Sequence, residues 1–104
     1  MIIKVLNYRQ LITSVQKEKY NVIQFTSNCQ ASNNLRARLY DMHINAYDIM
    51  YERNRPIGAL FEVKQLPCAI LLEHGLPVAR ATGVTEIEPF LGVVEDALRG
   101  ISPM

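Results

Sequence analysis

Two apolar stretches constrain this chain more than any other feature. Tyr20 to Thr26 is rich in β-forming residues and apolar apart from Gln24, with Val22, Ile23 and Phe25 covering both faces, and Cys68 to Glu73 is a second such run. A strand that is apolar on both faces needs cover on both sides, so these segments read as central strands of a sheet sandwiched between helices. The rest of the sequence supplies the helices. Tyr8, Leu11, Ile12 and Val15 fall at one helical face behind Asn7-Tyr8-Arg9-Gln10, a capping-box pattern that starts a helix at Asn7. Ser32 to His43 carries Leu35, Leu39 and Met42 on one face, with Arg36 and Arg38 elsewhere, and starts near Cys29. A third stripe, Ile87, Phe90, Leu91, Val94 and Leu98, follows the capping-box pattern Thr85-Glu86-Ile87-Glu88 and is closed by Gly100, with Pro103 beyond.

Shorter strands complete the order. Ile2 to Leu6 is a β-branched run, and Ala46 to Tyr51 alternates, with Tyr47, Ile49 and Tyr51 on one side and Asp48 opposite, as in a half-covered strand. A helical turn is expected around Ile57 to Phe61. His74-Gly75 turns the Cys68–Glu73 strand back into Val78 to Thr82 as a hairpin. The expected order is β-α-β-α-β-(α)-β-β-α: helical crossovers give parallel strands early, and the hairpin adds antiparallel ones late. This is an α/β fold, a mixed sheet flanked by helices on both faces, and residues 1–104 read as one domain.

Composition narrows the function classes. With 20% charged residues and a net charge of +1, no basic excess drives binding to nucleic acid or to a membrane surface. The longest apolar run, Cys68 to Leu72, is far short of the roughly 20 residues of a membrane helix. Met1 to Val5 has neither a basic leader nor a small-residue cleavage site, so a cytoplasmic, reducing setting with free thiols is expected.

A cysteine and a serine three residues on, Cys29 and Ser32, stand at a strand-to-helix crossing, and Asn54, Phe61, Val63, Leu66, Pro67, Gly75 and Gly83 follow at set spacings. With the order of elements, these resemble the thioredoxin family. Cys29-Gln30-Ala31-Ser32 ends the second strand just before a helix, where thioredoxins carry C-x-x-C. Asn54, Phe61, Val63, Leu66 and Pro67 follow the family's spacing towards its cis-proline, and Pro67, Gly75 and Gly83 stand eight residues apart, as in the family's strand-turn-strand-bulge. The resemblance covers essentially the whole chain. It implies a thioredoxin fold, Cys29 as the redox nucleophile, and Gln30, Ala31, Leu66, Pro67 and Gly83 beside an extended substrate chain. The sequence departs from the family in three places: Ser32 replaces the second cysteine, Ile23 stands at the position matched to the family's buried carboxylate, and Asn28 replaces the aromatic residue before the first cysteine.

The chemistry follows from the position of Cys29. Unpaired N–H groups at a helix start favour a thiolate, by about one pKa unit for a favourable helix end. Ser32, one helical turn on, can donate a hydrogen bond to the sulfur but cannot resolve a mixed disulfide. The reading is a thiol-disulfide oxidoreductase of monothiol type. Cys29 attacks a disulfide in a protein substrate and an external thiol, such as glutathione acting as co-substrate, completes the cycle; no bound cofactor is expected. Cys68, the residue after the cis-proline, is the other candidate resolving thiol, against its plainer reading as a core residue. The alternative function is a non-catalytic interaction module that docks a protein on the surface around Cys29 and Pro67.

No metal site is expected. Among Cys29, His43, Cys68 and His74 no two have ligand spacing, and His43 stands about 14 residues along a helix from Cys29, roughly 20 Å. Arg36 and Arg38 read as solvated helical arginines, Tyr47 and Tyr51 as strand-packing residues, and Glu86 and Glu88 as helix-start charges.

Overall fold

A computed structural model describes residues 2–4, 8–15, 18–27 and 29–100. The strands are β1 (Ile2–Lys4), β2 (Tyr20–Thr26), β3 (Asn45–Met50), β4 (Cys68–Glu73) and β5 (Leu76–Thr82). The helices are α1 (Tyr8–Val15), α2 (Gln30–Asp41), α3 (Arg55–Leu60) and α4 (Ile87–Leu98), with 3-10 turns at Tyr51–Arg53 and Val84–Glu86. The five strands lie in the order β1-β3-β2-β4-β5. β3 runs parallel to β1 and β2, while β4 is antiparallel to both β2 and β5. The expected order and the central place of β2 therefore hold. Asn7, Asn28 and Pro103, together with the end of the Ile2–Leu6 run, lie outside the described residues.

Alternation along the strands divides the core in two. Val22 of β2, Ala46 of β3 and Leu71 of β4 face Leu35 and Leu39 of α2 and Phe90, Leu91 and Val94 of α4. Ile23 and Phe25 point the other way, into a layer with Leu11 and Val15 of α1, Tyr47, Ile49, Ile57 of α3, Cys68, Ile70 and Leu72. Phe25 and Phe61 meet there in a tilted ring pair with centroids 5.8 Å apart.

Several sequence expectations are corrected. β3 is covered on both faces, because Asp48 is buried rather than solvated, and Tyr51 leaves the strand for a 3-10 turn. α2 spans Gln30–Asp41, and His43 lies beyond it at φ 58°, a left-handed conformation that no helix continues through. β5 begins at Leu76, earlier than expected. It is an edge strand, where Pro77 removes no ladder donor from a further neighbour, and a register shift opposite Leu71/Leu72 absorbs it. The Thr85–Glu88 box does not cap α4: Glu86 accepts the Thr82 N–H at 2.7 Å instead, and α4 starts at Ile87 without a side-chain cap. Ala97, rather than the exposed Leu98, completes the buried stripe of α4. The hairpin turn forms as read, His74 at φ 50° and Gly75 at φ 84° supplying the two left-handed residues of a two-residue loop. No helix among the described residues is long and apolar enough to cross a membrane.

Candidate functional site

Crossing from β2 into α2 builds the site. Cys29 is the N-cap residue, extended at φ −129° and ψ 164°, and its carbonyl accepts the Asn33 N–H at 3.0 Å to open the helix. Its side chain is exposed, so the sulfur is free to meet solvent. Two hydroxyls hold it: Ser27 Oγ lies 3.3 Å from Sγ on the strand side, and Ser32 Oγ lies 3.4 Å away on the helix side. Ser32 is fully buried, and its oxygen accepts the Ser27 N–H at 3.1 Å. With that lone pair engaged, the Ser32 hydrogen is directed at the sulfur when the thiolate forms. The Cys29 thiol is lowered from 9.0 to about 7, first by the Ser27 hydroxyl, then by the Ser32 hydroxyl, with the N–H groups of Ser32 and Ala31 adding to them against a small opposing desolvation. This brings the thiol's ionisation into the neutral range. The helix start and Ser32 are legible in the sequence. Ser27 escapes the sequence reading, although a hydroxyl two residues before a helix-capping cysteine is a signal that could have found it.

A polar knot anchors this corner. Thr26 Oγ1 donates to Asp48 Oδ1 at 2.6 Å and accepts from a terminal nitrogen of Arg36 at 2.6 Å, while Arg36 Nε pairs with Asp48 Oδ2 at 3.0 Å. Arg36 is therefore not a solvated arginine: it ties α2 to the ends of β2 and β3. A second bond from Arg36 reaches Asn33 Oδ1 at 2.7 Å. Arg38 is exposed, and its partner is Glu88 of α4. The residue of β2 on the α2 side is Gln24, the cross-strand partner of Asp48, whereas Ile23 faces the α1/α3 layer. At Ile23, the position matched to the family's buried carboxylate, an apolar side chain packs in the α1/α3 layer. Gln24 is fully buried, and neither polar atom of its amide has a partner among the described residues.

The remaining expected residues fall into a second group. The Leu66–Pro67 peptide bond is cis, and the buried Pro67 carbonyl accepts the Gly83 N–H at 3.0 Å. Gly83 sits at φ 83°, where a Cβ would come within 2.8 Å of Gln65 Oε1. Leu66 is half-buried against the α1/α3 layer. Gln30 is exposed and donates to Asn34 Oδ1 at 2.8 Å. Ala31, next but one to Cys29, and Val84, next to Gly83, line a groove of about 500 Å³ with Leu35, Ile87 and the polar Asn34, Arg38 and Glu88.

Cys68 follows Pro67 directly, at the start of β4. It is fully buried in the α1/α3 layer, paired in register with Phe25 and Thr82, and burial pushes its thiol up. Both thiols are free. His43 follows the end of α2 and His74 occupies the β4–β5 turn, and no cluster of three or more metal-ligating side chains forms among the described residues.

No protein-family model matches the sequence, and no curated protein matches it. Solved structures do match in shape. Thioredoxin from Trypanosoma brucei brucei superposes with a TM-score of 0.81 at 15% identity, over 95% of this chain and 92% of that one. An N21Q mutant thioredoxin from Halobacterium salinarum gives 0.80 at 14% identity over 91% and 88%. Thioredoxin f2 from Chlamydomonas reinhardtii gives 0.77 at 13% over 93% and 96%. Identities this low speak for the path of the backbone, and what they establish, together with the strand order and the helix that opens at Cys29, is that this chain has the thioredoxin fold.

Proposed function

We propose that the chain is a thiol-disulfide oxidoreductase that works through the single thiol of Cys29 and relies on an external thiol for resolution. The observation that carries this reading is the exposed sulfur at the start of α2, held by the hydroxyls of Ser27 and Ser32. A thiolate present at neutral pH is the attacking species in disulfide exchange. The Cys29 thiolate attacks one sulfur of a substrate disulfide; a Cys29–substrate S–S bond forms, the old S–S bond breaks, and its electron pair leaves on the departing thiolate, which solvent protonates. An external thiolate, of the glutathione class, then attacks the substrate sulfur, frees Cys29 and stays joined to the substrate half. Cys29 is the catalytic residue, and Ser32 steadies its charge. The substrate chain lies extended beside Leu66–Pro67, flanked by Gln30, Ala31 and Gly83. Cys68 takes no part, being buried in the core with its thiol held protonated.

The test is iodoacetamide alkylation against pH, together with reduction of a small disulfide by glutathione, with Cys29→Ser as control. The expected midpoint is near 7, with turnover that the variant lacks. A midpoint at or above about 8.5 without turnover would remove the enzyme and leave a binding module that uses the surface around Cys29 and Pro67.

A further inference from the structure

We propose that Ser27 is a positioning residue for Cys29, whose hydroxyl grips the sulfur from the strand side and sets the balance between how much thiolate exists and how strongly it attacks. This deepens the oxidoreductase reading and rests on it for its meaning, though not for its measurement.

The geometry assigns the role. A cysteine side chain at an exposed N-cap has three staggered wells open to it. Here Ser32 approaches Sγ from the helix and Ser27 from the strand exit, at 3.4 and 3.3 Å, so the sulfur is bracketed. Ser27 acts twice: its N–H engages Ser32 Oγ at 3.1 Å, and its own hydroxyl donates to the sulfur. Its backbone is held in place by the preceding Thr26, whose hydroxyl is locked to Asp48 and Arg36. The charges on the neighbouring elements are engaged elsewhere: Arg36 with Asp48, Arg38 with Glu88, and Glu86 with the Thr82 N–H. Hydroxyl and backbone donors, against desolvation, therefore set the proton affinity of Cys29 with no charged group among the causes.

Donors to a thiolate have two opposed effects. They raise the fraction ionised, and they withdraw electron density, so nucleophilicity falls with the thiol's proton affinity by a Brønsted slope of about 0.4–0.5. Removing one donor should then reverse its effect across the pH range. For a midpoint one unit higher, thiolate at pH 6 drops about tenfold while each thiolate attacks about threefold faster. The net result is a rate about threefold lower at pH 6 and about threefold higher at pH 10, where both proteins are fully ionised.

The experiment compares the full chain with Ser27→Ala and Ser27→Thr. Two readouts are followed from pH 5 to 10: iodoacetamide alkylation of Cys29, and its exchange with glutathione disulfide, in which a Cys29–glutathione bond forms and glutathione thiolate leaves. Ser27→Ala is expected to raise the alkylation midpoint and to give exchange rates that cross those of the parent between pH 6 and 10. Ser27→Thr, which keeps the hydroxyl, should follow the parent. An unchanged midpoint, a uniform loss at every pH, or a threonine variant that behaves like alanine would overturn the proposal. A parent that alkylates with a midpoint near 7 but never exchanges would refute the oxidoreductase reading, while the alkylation midpoints of the three proteins would still decide the role of Ser27.

Discussion

Cys29 and Cys68 are the same side chain in opposite settings. Cys29 stands where a strand gives way to a helix, exposed, with hydroxyls and N–H groups converging on its sulfur, and its thiol is lowered to about 7. Cys68 stands at the start of β4, sealed among Phe25, Ile49 and Ile57, and burial raises its thiol. The first environment offers the charged sulfur more hydrogen bonds than it costs in lost water, and the second withdraws water and offers less in return. What surrounds each cysteine thus sets the two apart: the thiol of the C-x-x-S motif is exposed and lowered, and the other cysteine is buried packing.

The largest expected effect separates the two thiols kinetically. In a Cys29→Ser protein the remaining thiol, Cys68, is reached by reagent only when the fold opens, so its modification should be a thousandfold or more slower, about the factor for an opening of roughly 5 kcal/mol, and should recover on adding denaturant. Fast modification of Cys68 in the native variant would erase the contrast between the two sites. The next effect concerns the corner that carries Cys29. Asp48→Ala leaves the Arg36 guanidinium, about one fifth exposed at 21%, facing Thr26 without its counter-charge. Breaking a pair this enclosed should cost roughly 2–3 kcal/mol, read as a lower urea midpoint with an unchanged slope. A loss below about 0.5 kcal/mol would mean that the knot is no more than a surface pair.

What is legible in the sequence is whatever depends on neighbours in sequence. Apolar runs mark β2 and β4, helical stripes mark α1, α2 and α4, and His74-Gly75 marks a two-residue hairpin. What is not legible depends on residues that meet only in the folded chain. Arg36 and Asp48 are 12 positions apart, and Thr26 and Asp48 are 22 apart, so neither charge shows its partner in the sequence and both read as solvated. At the site, Cys29 and Ser32 are visible because a helix start favours a thiolate and one turn separates the two residues. Ser27 is hidden because no helical spacing relates a strand exit to a cap. Alternation along β2, by contrast, is legible: it sets Val22 and Gln24 on one face and Ile23 and Phe25 on the other.

The smallest effect sharpens the comparison most, since the two thiols should push stability in opposite directions with pH. For Cys29 the folded value, about 7, lies below the ordinary 9.0, so between these pH values the unfolded chain binds more protons than the folded one and stability rises with pH. That contribution is full above pH 9 and is lost as pH falls through 7. For Cys68 the folded value lies above 9.0, so the folded chain holds its proton longer and stability falls once pH exceeds 9. Urea midpoints of the parent, Cys29→Ser and Cys68→Ala at pH 6, 8 and 10 read both signs. The parent's advantage over Cys29→Ser should grow from pH 6 to 8, and its advantage over Cys68→Ala, about 1 kcal/mol from the lost buried sulfur, should shrink by pH 10. Because Cys29 is bathed in solvent, the first trend is slight. If it is flat, the hydroxyls of Ser27 and Ser32 orient the sulfur without stabilising its charge, and the difference between the two cysteines reduces to exposure alone.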